Sequence, residues 1–259
     1  MTTTANIALV TGAAKRLGRE IALDLARAGW DLIVHYGHSQ EQALETVRMV
    51  ERLGRRAVAL QANLACETET ASLIARCIAA MGIPDCLVNS ASLFDYDTAQ
   101  SFTQHQLDLH MRINVGAPVA LARDLHRARL ESGQTFAHPG VVINLLDQKL
   151  SNPNPDFLTY TLSKAALDHA TVLLAQALAP AMRVVGLAPG ITLVSGDQTA
   201  DSFTQAHTMT PLGYSSSPTD IGRAVVYLAS AQAVTGTTLY VDGGQHLQSS
   251  GRDVMFLTN

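Results

Sequence analysis

Tyr160-Thr161-Leu162-Ser163-Lys164 sets a phenol and an ammonium four residues apart, which puts both on one face of a helix. That pairing has an acid–base use. A phenol with a pKa near 10 is a poor proton carrier at neutral pH, and a nearby cation favours its phenolate. A shift of about three units takes roughly 4 kcal/mol, a large demand on Lys164 and any cationic ring bound beside it. The spacing alone is common on surface helices, so its meaning depends on what converges with it.

A second group follows the first apolar run. Thr11-Gly12-Ala13-Ala14-Lys15-Arg16-Leu17-Gly18-Arg19 opens a helix directly after Ile7–Val10. Gly12 permits a sharp turn, Gly18 lets the helix pack close, and the free N–H groups of the first turn suit a pyrophosphate. The alternative is a glycine-rich turn that binds nothing. An NAD site places an acid at the end of the second strand, whereas Val34-His35-Tyr36-Gly37-His38-Ser39 has none. Lys15, Arg16, His38 and Ser39 instead suit the extra 2′-phosphate of NADP. Cations at a helix N-terminus oppose its dipole, and a bound anion offsets that cost.

The elements that must position these groups alternate. Candidate strands are Ile7–Val10, Asp31–Tyr36, Arg56–Leu60, Asp85–Asn89, Val141–Leu146, Arg183–Leu187 and Thr238–Val241. Most are continuous apolar runs, as parallel strands covered on both faces require. Helices are expected over Leu17–Ala28, Gln40–Leu53, Glu67–Met81, Thr103–His110, Arg112–Ser132, Phe157–Ala179 and Pro218–Ser230. Ser39 with Gln42 reads as a capping box, and Ser217 as an N-cap before Pro218. The alternation predicts an α/β fold: one Rossmann-type, doubly wound parallel sheet of about seven strands. Residues 1–259 read as a single domain. The stretch Ile191–Ser217, rich in Ser, Thr and Gly, is expected to cover a ligand crevice.

Composition narrows the classes. The 259 residues are 47% hydrophobic and 15% charged with net charge −4, which excludes global disorder and argues against nucleic-acid or anionic-membrane partners. Cys66, Cys77 and Cys86 are odd in number and lack C-x-x-C spacing, so buried free thiols in a reducing compartment are expected. The N-terminus has no signal-peptide pattern, and no apolar run approaches the ~18 residues of a membrane span. A soluble, cytoplasmic protein is the expectation. His105 and His110, five apart, point to different helix faces and read as solvated, so no metal site is expected.

From Ala8-Leu9-Val10-Thr11-Gly12 to Val241-Asp242-Gly243-Gly244 the chain resembles the short-chain dehydrogenase/reductase family. Asn89-Ser90-Ala91, Asn114 in Ile113-Asn114-Val115, and Ala188-Pro189-Gly190 carry the likeness further. The resemblance implies that Tyr160 exchanges the proton, Lys164 binds the nicotinamide ribose, and Asn114 supports a water near the lysine. It also implies cofactor contacts from Gly12, Leu17, Gly18, Tyr36, Asn63, Leu64, Asn89, Ser90, Ala91, Pro189 and Gly190. The family pairs its long helices, here Arg112–Ser132 and Phe157–Ala179, into homotetramers. The apolar tail Asp253-Val254-Met255-Phe256-Leu257 is expected to pack on its own or a neighbouring subunit.

Two departures are informative. Arg16 stands where the family has its middle glycine, and Asp147, thirteen positions before Tyr160, stands in the place of its catalytic serine. With His35-Tyr36, Ser92 and Phe94 they resemble the pteridine reductase branch and the bacterial dihydromonapterin reductases. That branch implies that Arg16 reaches cofactor and substrate, that Phe94 stacks on a pterin, and that Ser92 lies beside both. It commonly has an arginine where His38 stands, so an imidazole replaces a permanent cation here. A serine hydroxyl donates to a ketone oxygen, whereas an ionised aspartate only accepts. Asp147 beside Tyr160 would raise the phenol's pKa and oppose Lys164. The alternative role for Asp147 is to cap a following turn. The leading expectation is an NADPH-dependent reductase of a pterin or dihydropterin. The alternatives are a carbonyl or 3-oxoacyl thioester reductase and a non-catalytic NADP-binding sensor.

Overall fold

The computed structural model describes residues 5–194 and 198–257. In chain order the elements are β1 (Ile7–Val10), α1 (Arg16–Arg27), β2 (Asp31–Tyr36), α2 (Gln40–Arg52), β3 (Ala57–Gln61), α3 (Glu67–Met81) and β4 (Cys86–Asn89). There follow α4 (Gln104–Met111), α5 (Ala117–Glu131), β5 (Gly140–Leu145), α6 (Leu158–Ala177), β6 (Met182–Pro189), α7 (Ala200–Thr208), α8 (Pro218–Ser230) and β7 (Thr238–Val241).

The seven strands form one parallel sheet in the order β3-β2-β1-β4-β5-β6-β7. Strand alternation explains the apolar runs. Ala8 and Val10 enter the cluster under α1 and α8, while Ile7 and Leu9 face the opposite cluster with α3 and α5 residues. Each fully buried leucine here contributes about 1.5–3 kcal/mol. The strand order reverses between β1 and β4, so a crevice opens at their C-terminal ends.

Glycine at two positions allows that crevice to close tightly around its first turn. Gly12 has φ +67°, and a Cβ there would sit 3.0 Å from Ala91 Cα. A Cβ on Gly18 would lie 2.4 Å from the Gly12 carbonyl oxygen. The turn is held from below by His35 of β2. Gly12 N–H donates to His35 Nδ1 at 3.1 Å, so Nε2 carries the proton and donates to the Ala62 carbonyl at 3.0 Å.

Several expectations are corrected. Ser39 makes no side-chain cap, whereas Ser217 and Asp220 form a capping box. Thr103 lies outside its helix as the N-cap, in a capping box with Gln106. Residues Arg112–Gly116 form a π-helical turn before α5. The stretch after β6 contains a helix, α7, whose Ala-Asp-Ser-Phe-Thr-Gln-Ala-His-Thr sequence has too few apolar residues to show a period. His110 is not solvated; it is fully buried between the Gln106 carbonyl and Thr159, while His105 is exposed. Cys77 and Cys86 are buried, with thiols pushed up to about 12 by burial, but Cys66 is only half-buried. Among the described residues no helix is long and apolar enough to cross a membrane, and no cluster of candidate metal ligands occurs.

Burial lowers the His35 pKa from 6.5 to about 4. An unfolded imidazole takes up its proton near 6.5, so falling pH favours the unfolded state until the native imidazole also protonates. The loss amounts to roughly 3 kcal/mol. Urea unfolding between about pH 7 and about pH 4.5 should therefore lose more stability in the wild type than in His35→Gln. Equal slopes would remove His35 from this account.

Candidate active site

A cavity of about 600 Å3 occupies the crevice at the C-terminal ends of the central strands. Of the residues singled out in the sequence, Gly12, Lys15, Arg16, Leu17 and Gly18 line it from the first turn. Ser90, Ala91, Ser92 and Phe94 line it after β4, and Asp147, Tyr160, Lys164, Pro189 and Gly190 complete that set. Tyr36, His38, Ser39, Asn63, Leu64, Asn89 and Asn114 are not in the wall. Tyr36 ends β2, one strand outward from the crevice, and His38 and Ser39 follow it, with His38 exposed. Asn63 is engaged in its own turn, with its side chain accepting from Ala65 N–H. Asn89 points to β5, where its Nδ2 donates to Asn144 Oδ1 at 2.8 Å.

Asp147 follows β5 and divides its carboxylate. Oδ1 accepts from Lys149 N–H at 2.9 Å, and Oδ2 accepts from the Tyr160 hydroxyl at 2.8 Å. Asp147 thus caps the turn at Gln148–Leu150, and the same carboxylate holds the phenol. Burial raises the Asp147 pKa against the opposing pull of those two donors. Burial first, and then the Asp147 charge, raises Tyr160 well above its ordinary value. Tyr160 is a phenol here, and Asp147 opposes its ionisation.

Lys164 does not hydrogen-bond Tyr160 in this arrangement. Its Nζ donates to the Leu145 carbonyl at 2.6 Å and sits 5.7 Å from the Tyr160 ring centre. Burial lowers its pKa to about 8. In this arrangement the Lys164 cation is turned to a strand carbonyl and not to the phenol oxygen.

Asn114 lies in the π-helical turn, a device often found at functional sites. Its Nδ2 donates to the Leu93 carbonyl and to Ser163 Oγ, and its Oδ1 accepts from Leu93 N–H and Ser92 Oγ. Both donors and both lone pairs are committed, so this side chain fixes the loop after β4 rather than holding a water. Arg16 adopts φ +54°, which accounts for a glycine being usual at this place in similar chains. A left-handed conformation costs a non-glycine residue about 1–3 kcal/mol. Its guanidinium donates to the Val194 carbonyl at 2.8 Å, tying the first turn to the segment after β6.

The family model described as enoyl-(acyl carrier protein) reductase, of the short-chain dehydrogenase/reductase type, matches residues 12–246. The chain belongs to the short-chain dehydrogenase/reductase family. A 3beta-hydroxysteroid dehydrogenase 1 of Eggerthella lenta is 33% identical, over 92% of this chain and 93% of that one. A 3-oxoacyl-(acyl-carrier-protein) reductase of Staphylococcus aureus is 31% identical, over 93% and 98%. Among solved structures, FolM alternative dihydrofolate reductase 1 from Brucella canis, complexed with NADP, superposes with TM-score 0.88. It is 35% identical, over 95% of both chains. As a member of this family the chain is an oxidoreductase. Its relatives' names span steroid, acyl thioester and folate chemistry, so the substrate must be argued from the site.

Residues that sequence reasoning missed lie on the far wall. Lys149 is buried and donates to the Asp156 carbonyl at 2.5 Å and to Asp253 Oδ2 at 3.2 Å. Asp156 accepts from Asp253 N–H and from Arg252 Nε, each at 2.8 Å. Phe256 stacks on Phe157 at 6.1 Å and meets Tyr96 edge-on at 5.3 Å. The tail therefore packs on its own chain and brings Asp253, Val254 and Met255 to the cavity. Its apolar run was the only sequence signal.

Lys149→Met should leave Asp253 beside Asp156 without its cation, costing roughly 3 kcal/mol in urea unfolding. Amide exchange over 252–257 should accelerate with it. Unchanged exchange there would mean that the aromatic stack alone holds the tail.

Proposed function

We propose that the protein is an NADPH-dependent reductase of a pterin or dihydropterin. Asp147 accepting from Tyr160 is the observation that carries this reading. A ketone oxygen in this site would meet one donor, Tyr160, because the neighbouring carboxylate accepts only. A ring N–H beside a C=N bond suits the pair better, since Asp147 can accept from the one while Tyr160 protonates the other.

The residues present fit a phosphorylated dinucleotide. A Cβ on Gly12 or Gly18 would press on Ala91 or on the Gly12 carbonyl, so these glycines keep the turn tight, and the first turn of α1 carries no acidic residue against Lys15 and Arg16. NADP bound to the Brucella canis relative supports the same choice. Gly12, Lys15, Leu17, Ala91 and Gly190 would hold the cofactor, with Lys164 turning from the Leu145 carbonyl to its ribose. When bound, it supplies the hydride. Tyr160 delivers the proton, and Asp147, whose own proton affinity burial raises, then takes one up from solvent and returns it to the Tyr160 phenolate. Phe94 supports a flat substrate: one face stacks on Phe157 at 4.3 Å, and the ring remains 39% exposed at the cavity.

The runner-up, a carbonyl or 3-oxoacyl thioester reductase, draws support from the Staphylococcus aureus relative. We also infer a tetramer in the cytoplasm. Leu162, Val172 and Leu173 stand exposed on α6 as apolar surface for such packing, and light scattering returning a monomer would end that part of the reading.

Asp147→Asn should lower kcat for dihydrobiopterin by about 10²–10⁴-fold and leave NADPH affinity unmoved. NADPH should bind at least about tenfold tighter than NADH, as charge-assisted contacts to the extra phosphate require. A panel of dihydrobiopterin, dihydromonapterin, folate, a 3-oxoacyl thioester and simple ketones decides the class. Good turnover of ketones with none of any pterin would hand the assignment to the runner-up.

A further inference from the structure

Gln198 lines the cavity just ahead of α7 and is only 8% exposed. Neither its Nε2 nor its Oε1 has a hydrogen-bond partner among the described residues. Buried amides are almost always paired, and an orphan carboxamide is costly to keep. Other orphaned atoms differ in kind. Asp24, Asn89 and Arg183 each spend their remaining polar atoms on partners, and Thr210 is not in the cavity wall. Gln198 alone among the described residues has a whole hydrogen-bonding group left over beside the site.

The shape of that group names its complement. A carboxamide sets one N–H donor beside one C=O acceptor in a plane. A cyclic amide presents the matching acceptor and donor along one edge, whereas a carboxylate, a simple ketone or an alkyl chain leaves one atom of Gln198 unmatched. The segment that carries it leads into α7, which packs against Val254–Phe256 of the tail.

We propose that Gln198 is a specificity residue that pairs, through both Nε2 and Oε1, with the lactam edge of a flat heterocyclic substrate. The inference rests on the pterin reading, because a pterin carries such an edge, and it gives that reading an element of recognition beyond stacking. The nicotinamide carboxamide offers similar chemistry, so dinucleotide affinity must be read separately.

The test compares pterin with 3-methylpterin, which keeps the ring and carbonyl but loses the lactam N–H. Calorimetric titration into the NADP-saturated protein should favour pterin by at least about tenfold, and Gln198→Leu should abolish the preference. Its affinity for NADPH should stay unchanged. The melting temperature of Gln198→Leu without ligands should hold or rise, because leucine removes an unpaired buried amide. A preference that survives in Gln198→Leu, equal binding of both pterins to the wild type, or a loss of NADPH affinity in the variant overturns the proposal. If the wild type binds no pterin, the substrate reading fails. Isatin and N-methylisatin then decide Gln198 by the same criterion: a wild-type preference for isatin that Gln198→Leu loses supports it, and any other result overturns it.

Discussion

One carboxylate organises this site. Asp147 uses Oδ1 to fix the turn that follows β5 and Oδ2 to fix the Tyr160 hydroxyl. Because one carboxylate does both jobs, the phenol is positioned by a side chain that the Lys149 N–H, in the turn after β5, holds in place. The electrostatic consequence runs against the arrangement that a Tyr–Lys pair alone would give. Tyr160 keeps its proton and Lys164 turns to the Leu145 carbonyl, so an oxidation that needs the phenolate is opposed.

The surrounding structure accepts strain to keep that arrangement. Arg16 and Phe157 are the two non-glycine residues with left-handed backbones among those described; Arg16 lines the cavity, and Phe157 stacks on Phe94, which lines it too. Arg16 spans from the first turn to Val194, and Phe157 begins α6 between Phe94 and Phe256. Each exchanges backbone comfort for a contact that fixes one wall. His35 adds a third support, an imidazole kept neutral by burial so that it can accept from Gly12. Substitution of His35 or Phe157 acts through geometry, whereas Arg16 also lines the cavity.

What the sequence made legible follows from period and local rule. Full burial of β1, β4 and β5 left apolar runs that could only be covered strands, and the Tyr160–Lys164 spacing placed both groups on one face. Ser217 and Pro218 marked a helix start by chemistry that acts within one turn. The rest depended on distant partners. His110 is buried because Thr159, forty-nine residues on, meets it, and Asp97 accepts from Thr159 in turn. Lys149 looks like a surface lysine until Asp253, 104 residues away, returns to pair with it. The direction of Lys164 was likewise invisible, since a strand carbonyl leaves no mark on the sequence.

The central claim is that Asp147 holds Tyr160 as a protonated donor. The most direct measurement is NMR of protein labelled with carbon-13 at the tyrosine ζ position, followed from about pH 6 to about pH 10. Tyr160, assigned by its loss in Tyr160→Phe, should keep a phenol signal across that range. In Asp147→Asn it should begin to ionise at lower pH than in the wild type. A phenolate signal for wild-type Tyr160 near neutral pH would contradict the account.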